Sequence, residues 1–138
     1  MLHVTRYHAD MTERRRIPPL SPFEQEIGFT RAVRVGDRIL VSGITAVMPD
    51  GSIPVEAGAQ ADRCFQEIIG YIKELGGRAE DVVRVRMFVT NIAYADAVSA
   101  AFSRALKPAR PTGTLVAIAA LYRPEWKVEI EAEAVVSA

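Results

Sequence analysis

Hydrophobic positions in this chain follow two periods that alternate along its length. Between residues 32 and 43, Ala32, Val33, Val35, Ile39, Leu40 and Val41 are strand formers. Gly36-Asp37 splits them and reads as a two-residue hairpin turn. Met48 to Pro54 is a turn by composition. From Ala57 to Leu75 the period lengthens: Ala61, Phe65, Ile68, Ile72 and Leu75 make one apolar helical face, which Gly76-Gly77 ends. Asp81 to Ile92 returns to alternation, with Val83, Val85, Met87 and Val89 on one side and Arg84, Arg86, Phe88 and Thr90 on the other. Tyr94 to Leu106 is helical again. Its buried stripe is Ala97, Val98, Ala101, Phe102 and Ala105, and Lys107-Pro108 stops it. Thr114 to Ala120 and Lys127 to Val136 read as two closing strands.

The predicted order is β-β-α-β-α-β-β. Two amphipathic helices need one face of a sheet to cover, which predicts an α+β two-layer sandwich with the other sheet face free. A free face of mixed polarity suits contact with further copies of the chain. Residues 1–20 are set apart as an arm and residues 21–138 as a single domain. In the arm, Leu2, Val4 and Tyr7 are candidates for a short edge strand, and His3 and His8 read as surface residues. Met11 to Leu20 reads as an exposed linker ending in prolines.

Composition narrows the class. The 138 residues, 49% of them hydrophobic, suffice for one core. Lys and Arg number 17 against 17 Asp and Glu, so total charge gives no pull toward nucleic acid or an anionic membrane. The apolar runs are short of a membrane span and no signal-type apolar region follows the start, so a cytoplasmic protein is expected. Cys64 is the only cysteine, which excludes an internal disulfide and a cysteine-built metal site; beside the helical stripe it reads as a small core residue.

Candidate chemistry gathers near the C-terminus. Glu129, Glu131 and Glu133 share one face of the last strand, and Val128, Ile130, Ala132 and Ala134 share the other. No histidine or calcium-loop spacing accompanies the carboxylates, so no metal is expected. Neighbours on one strand face do not flank a sugar as a glycosidase pair does. Glu131 and Glu133 are expected to pair with Arg84 and Arg86 across the sheet. That leaves Glu129, at the strand start, as the working carboxylate. In the turn from Pro108 to Thr114, Arg110 offers a guanidinium suited to a carboxylate ligand, and a plain surface arginine is the equal alternative.

Taken together, these residues resemble the Rid family of reactive intermediate deaminases, also called YjgF-like or endoribonuclease L-PSP proteins. The likeness runs from about Ile27 to Val136. IGFTRAVRVGDRILVSG is similar to the family's opening G-P-Y-S-x-A and its strand ending in S-G. Ala59-Gln60-Ala61 sits where the first helix of the family carries a glutamine. DVVRVRMFVTNI resembles the central strand, and VEIEAEAV the closing V-E-I-E-A-x-A. The order of these motifs, rather than any one of them, carries the likeness.

The resemblance implies a chorismate-mutase-like fold and a homotrimer with small-molecule clefts between subunits. It also implies cofactor-free hydrolysis of reactive enamines and imines, such as 2-iminopropanoate, to 2-oxoacids and ammonia. By the same resemblance Glu129 positions the attacking water, and Ser42, Gly43 and Thr114 line the cleft. Phe29 stands where the family has a tyrosine, and Ser99 where it has an asparagine. The family's carboxylate-binding arginine maps onto Arg110 by the letters Pro-Ala-Arg, but onto Gly113 by ungapped counting back from Leu121. The RPTGT turn and the added SPFEQEIG resemble divergent members without that arginine. Phe29 trades a hydroxyl for an apolar wall, which points to a bulkier or less acidic imine. Two other readings stay open: a non-catalytic binder of small 2-oxoacid-like metabolites, and RNA cleavage or translation inhibition. Zero net charge and the lack of a basic-aromatic stretch argue against the last.

Overall fold

The computed structural model describes residues 13–137. The arm residues Leu2, Val4 and Tyr7 and both histidines lie outside them. The elements are β1 (Arg14–Arg16), α1 (Pro22–Ile27), β2 (Ala32–Val35), β3 (Arg38–Thr45), α2 (Ala57–Glu74), β4 (Val82–Val89), α3 (Ala95–Leu106), β5 (Thr112–Ala117) and β6 (Val128–Val135). One six-stranded sheet has the order β1-β2-β3-β6-β4-β5, antiparallel throughout except for the parallel β4–β5 pair joined through α3. The predicted α+β sandwich with two long helices on one face is what forms.

Alternation on the strands builds the core. Ile39, Val41 and Ile44 of β3, Val85, Met87 and Val89 of β4, and Val128, Ile130, Ala132 and Ala134 of β6 are all buried. They pack in one cluster with Phe65, Ile68 and Ile72 of α2 and Val98, Ala101 and Leu106 of α3. The opposite side chains of β6 and β4 form the open face. Cys64 is fully buried, as its place beside the α2 stripe predicts. Its Sγ donates to the Ile44 carbonyl at 3.2 Å, and burial pushes the thiol pKa far up.

Ala97, expected in the buried stripe of α3, is exposed, and four further local readings change. Arg14–Arg16, expected in an exposed linker, adds an edge strand to β2, and Ile17 behind it enters the core. The α2 C-terminus helps hold it there, since Arg15 and Arg34 both donate to the Leu75 carbonyl, at 3.0 and 2.8 Å. The short helix α1 has no counterpart in the predicted order. Val83, expected on the core face, is exposed because Val82 pairs with Ala134 and Arg84 with Glu133, so Val83 is a bulged extra residue. Finally, β5 begins at Thr112 rather than Thr114 and ends at Ala117, following the length of β4 beside it.

Candidate active site

The site is built around an irregularity in β3. Val41 pairs with Ala132 and Ile44 with Ile130, so three steps along β3 match two along β6, and Ser42-Gly43 forms a bulge. The bulge resets the alternation so that Ile39, Val41 and Ile44 all reach the core. The Ser42 Oγ donates to the Thr30 carbonyl at 2.6 Å and its N–H to the Arg31 carbonyl at 2.9 Å, fixing the approach to β2. Over Gly43 lies the side chain of Glu129. A Cβ at Gly43 would fall 2.7 Å from Glu129 Oε1. The close approach at this glycine is to the carboxylate itself.

Glu129 is the second residue of β6, between Thr45 on β3 and Phe88 on β4. It is half-buried, and no hydrogen bond engages its carboxylate among the described residues. Burial, with the Glu131 carboxylate on the same strand face, holds its pKa above the ordinary value. Neighbouring carboxylates behave differently. Glu131 pairs with Arg86 at 3.0 Å, and Glu133 pairs with Arg38 at 3.3 Å and Arg84 at 3.8 Å. Arg84, Arg86, Glu131 and Glu133, with Leu40, Val41 and Ala132, line a cleft of about 130 Å³ on the open face. The division of labour among the three glutamates expected from the sequence is therefore the one the side chains adopt: two in cross-strand pairs and one free.

The other predicted residues scatter. Thr114 is on the open face, level with Arg86. Phe29 is 43% exposed beside the C-terminus of α1, its N–H donating to the Glu24 carbonyl at 3.0 Å. Gly113 turns to the helix side, where an added Cβ would meet Phe102 and Met87 at 3.9 and 4.0 Å. Ser99 is exposed on α3, in the layer that covers the other sheet face.

Arg110 sits at φ 48° and ψ 52°, exposed, and caps the short 3-10 turn Lys107–Ala109. Register places it within the chain. Thr112 is level with Arg84 and Glu133, whereas Val116 is level with Phe88 and Glu129. Four strand residues span about 13 Å, and Arg110 lies further out still. One chain does not bring Arg110 and Glu129 together.

Sequence reasoning missed α1 and its anchor. Glu24 is buried, and its Oε2 accepts the N–H groups of Leu20 and Ser21, each at 2.8 Å, with Arg31 Nε at 3.3 Å. Burial alone would raise this carboxyl's pKa, but the two backbone donors and the Arg31 guanidinium outweigh it and hold the pKa low. The signal was present as Ser21-Pro22-Phe23-Glu24, a capping box with proline in the first turn. Gln60, noted only as a family position, is fully buried. Its Nε2 donates to the Pro54 and Glu125 carbonyls at 2.7 and 2.9 Å, and its Oε1 accepts from Lys127 N–H at 2.8 Å. It ties the loops on both sides of the Glu129 end to α2.

The family model described as Endoribonuclease L-PSP covers residues 21–136. The chain belongs to this family, the YjgF/RutC/Rid proteins. An uncharacterized protein of Streptomyces coelicolor is 33% identical over 124 residues, 87% of this chain and 90% of the relative. The 2-iminobutanoate/2-iminopropanoate deaminase of Escherichia coli is 29% identical over 111 residues, 78% of this chain and 86% of the relative. Among solved structures, a YjgF-family protein of Mycobacterium tuberculosis superposes with a TM-score of 0.82 at 32% identity, covering 90% of this chain and all of that one. Among the described residues no helix is long and apolar enough to cross a membrane, and no group of three His, Cys, Asp or Glu is placed to hold a metal.

Proposed function

We propose that this YjgF/RutC/Rid-family chain is a hydrolase that deaminates a reactive enamine or imine to a carbonyl product and ammonia, acting as a homotrimer with its sites between subunits. The observation that supports it is Glu129: a half-buried carboxylate of raised pKa, free of hydrogen bonds among the described residues, beside a glycine that leaves it room. Such a group suits general base work. In the reaction, Glu129 takes a proton from water as the water oxygen bonds to the imine carbon, and passes it to nitrogen. As the carbinolamine collapses, the hydroxyl proton follows the same route, the C–N bond breaks and ammonia leaves. One imine and one water become one carbonyl and one ammonia, and Glu129 is again ionised. No cofactor enters this scheme. Cytoplasmic residence accords with it.

The test is hydrolysis of 2-iminopropanoate and of an aromatic imine by Glu129→Gln, which keeps size and loses the base. Loss of ~100-fold or more is expected; unchanged rates would remove the catalytic role. Light scattering of the intact protein tests the trimer.

A second reading, a trimer that binds small 2-oxoacid-like metabolites without turning anything over, is favoured by the displaced arginine, since Gly113 stands where ungapped counting puts it. Thermal stabilisation by 2-oxoacids with no imine turnover would support it. RNA cleavage, which the family's description names, finds no support in a chain of zero net charge. It would return if purified protein cut RNA and Glu129→Gln did not.

A further inference from the structure

The β1–β2 edge of the sheet brings together two arginines, Arg15 and Arg34. They are register partners on antiparallel strands, so their side chains leave the sheet on one face. Arg34 is also level with the buried Ile39 of β3, which makes that face the helix side. Both guanidiniums reach the C-terminal end of α2. Arg15 Nη2 and Arg34 Nη1 donate to the same oxygen, the Leu75 carbonyl, at 3.0 and 2.8 Å. Arg34 Nε donates to the Gly36 carbonyl at 2.8 Å. Gly76 permits the approach, because a Cβ on it would fall 2.8 Å from Arg34 Nη1.

One guanidinium is enough to satisfy a carbonyl at a helix end. A second beside it adds like-charge repulsion that a neutral carbonyl does little to offset. Elsewhere in the chain Arg31, Arg38, Arg63, Arg84, Arg86 and Arg104 each pair with a carboxylate. The partners of Arg15 and Arg34 among the described residues are carbonyls only. Beside them lies a cavity of about 280 Å³, lined by Glu13, Arg15, Arg34 and Gly36. Each guanidinium keeps further N–H donors for whatever enters it.

We propose that this cavity is an anion site that takes a phosphoryl group, free or as a small phosphate ester, between Arg15 and Arg34. Two planar forks side by side match the several oxygens of a phosphoryl dianion. The Leu75 and Gly36 carbonyls already fix both side chains, so little freedom is lost on binding. The cavity leaves room beyond the phosphoryl group for a short organic tail. Glu13, on the cavity wall, opposes the anion and limits its affinity. The site is separate from Glu129: Arg34 is level with Ile39 near one end of β3, and Glu129 with Thr45 at the other. It is built on the helix side of one chain, so it rests neither on the deaminase reading nor on contacts of the open face.

Thermal unfolding of the intact protein in inorganic phosphate, in glycerol phosphate and in chloride, at one ionic strength and neutral pH, tests it. Saturating phosphoryl ligand is expected to raise the melting temperature by about 3 °C over chloride. Calorimetric titration gives the dissociation constants. An ester that binds more tightly than phosphate makes a phosphorylated metabolite the ligand, and one that binds equally or less makes it the free ion; either result supports the site. Arg15→Met and Arg34→Met should each weaken binding ~10-fold or more, and Arg15→Lys, which keeps charge without the fork, about 3-fold. Glu13→Gln should tighten it about 2-fold. Melting in chloride reports the capping role separately, since a variant that only loosens β1 lowers every curve and keeps the increment. Arg15 is exposed, so Arg15→Met carries the test if Arg34→Met does not fold. No increment over chloride in wild type overturns the proposal. An increment that survives Arg15→Met, or one that shrinks in Glu13→Gln, puts the anion elsewhere and overturns it too.

Discussion

Gly43 and Glu129 share a space that only one of them can fill. A Cβ on Gly43 would stand 2.7 Å from Glu129 Oε1 and 2.9 Å from its Cδ. Gly43 is not among the residues with positive φ, so its backbone accepts any side chain, and the requirement for glycine comes from the carboxylate above it. The atoms in the way are the far end of a flexible side chain. Glu129 can swing aside at little cost to the fold, and in doing so leaves the position from which it would work.

Gly43→Ala is therefore expected to separate activity from stability. The melting temperature should change by less than about 3 °C, while imine hydrolysis falls ~10- to 100-fold, since a displacement near 1 Å can cost that much. Thermal unfolding and steady-state rates on the same preparation check it. A large loss of stability with activity per folded molecule intact would contradict the account.

The pH profile should report the surroundings of Glu129. Its pKa lies above the ordinary value, through burial and then the Glu131 charge. A base works ionised, so the rate should rise with pH through that elevated value. Glu131→Gln removes the like charge and should move the acidic limb to lower pH. Arg86→Met leaves Glu131 without its 3.0 Å partner and should move it higher. Stability has the opposite sign. The folded state keeps this proton longer than the unfolded chain, so the group's contribution is lost as pH rises from the unfolded pKa to the folded one. Denaturation midpoints of Glu129→Gln against pH should lack that loss.

Glu24 predicts the reverse dependence. Its folded pKa is depressed, so its stabilisation is present above the unfolded carboxylate pKa and lost as pH falls through the folded value. Glu24→Ala removes the acceptor of two backbone N–H groups and the partner of Arg31. A loss of about 3 kcal/mol at neutral pH is expected in urea unfolding, shrinking toward acid. Equal losses at both ends of the pH range would show that packing, not charge, accounts for it.

How much of this was legible in the sequence differs by element, for physical reasons. The helices Ala57–Glu74 and Ala95–Leu106 and the strands around Val85 and Ile130 carry enough repeats of one period to be read directly. Helix α1 has six residues, too few to repeat, and showed itself only through the cap Ser21-Pro22-Phe23-Glu24. Val83 was misplaced because alternation continues through it in the sequence, while the pairing with β6 inserts a bulge there. Of the site, the roles of Glu131 and Glu133 followed from charge on facing strands. Arg110 did not: its letters resemble a known motif, but only the parallel register of β5 on β4 reveals which end of the sheet it occupies.

Gln60 offers the strongest test of how the Glu129 end is held. Its amide is fully buried and makes three hydrogen bonds of 2.7 to 2.9 Å, to the carbonyls of Pro54 and Glu125 and from the Lys127 N–H. Lys127 lies two residues before Glu129, so the amide sets where β6 begins. Gln60→Leu keeps the volume and leaves a buried donor and two buried acceptors without partners, which should cost on the order of 3 kcal/mol. Gln60→Glu should do comparable damage at neutral pH, because a carboxylate cannot donate to the two carbonyls. It should recover part of the loss in acid, where the protonated form regains one donor. Urea midpoints of both variants at neutral and acidic pH decide it. Recovery in Gln60→Leu, or none in Gln60→Glu, would mean that the loops are held by other contacts, such as the 2.9 Å bond from Trp126 Nε1 to the Ala46 carbonyl.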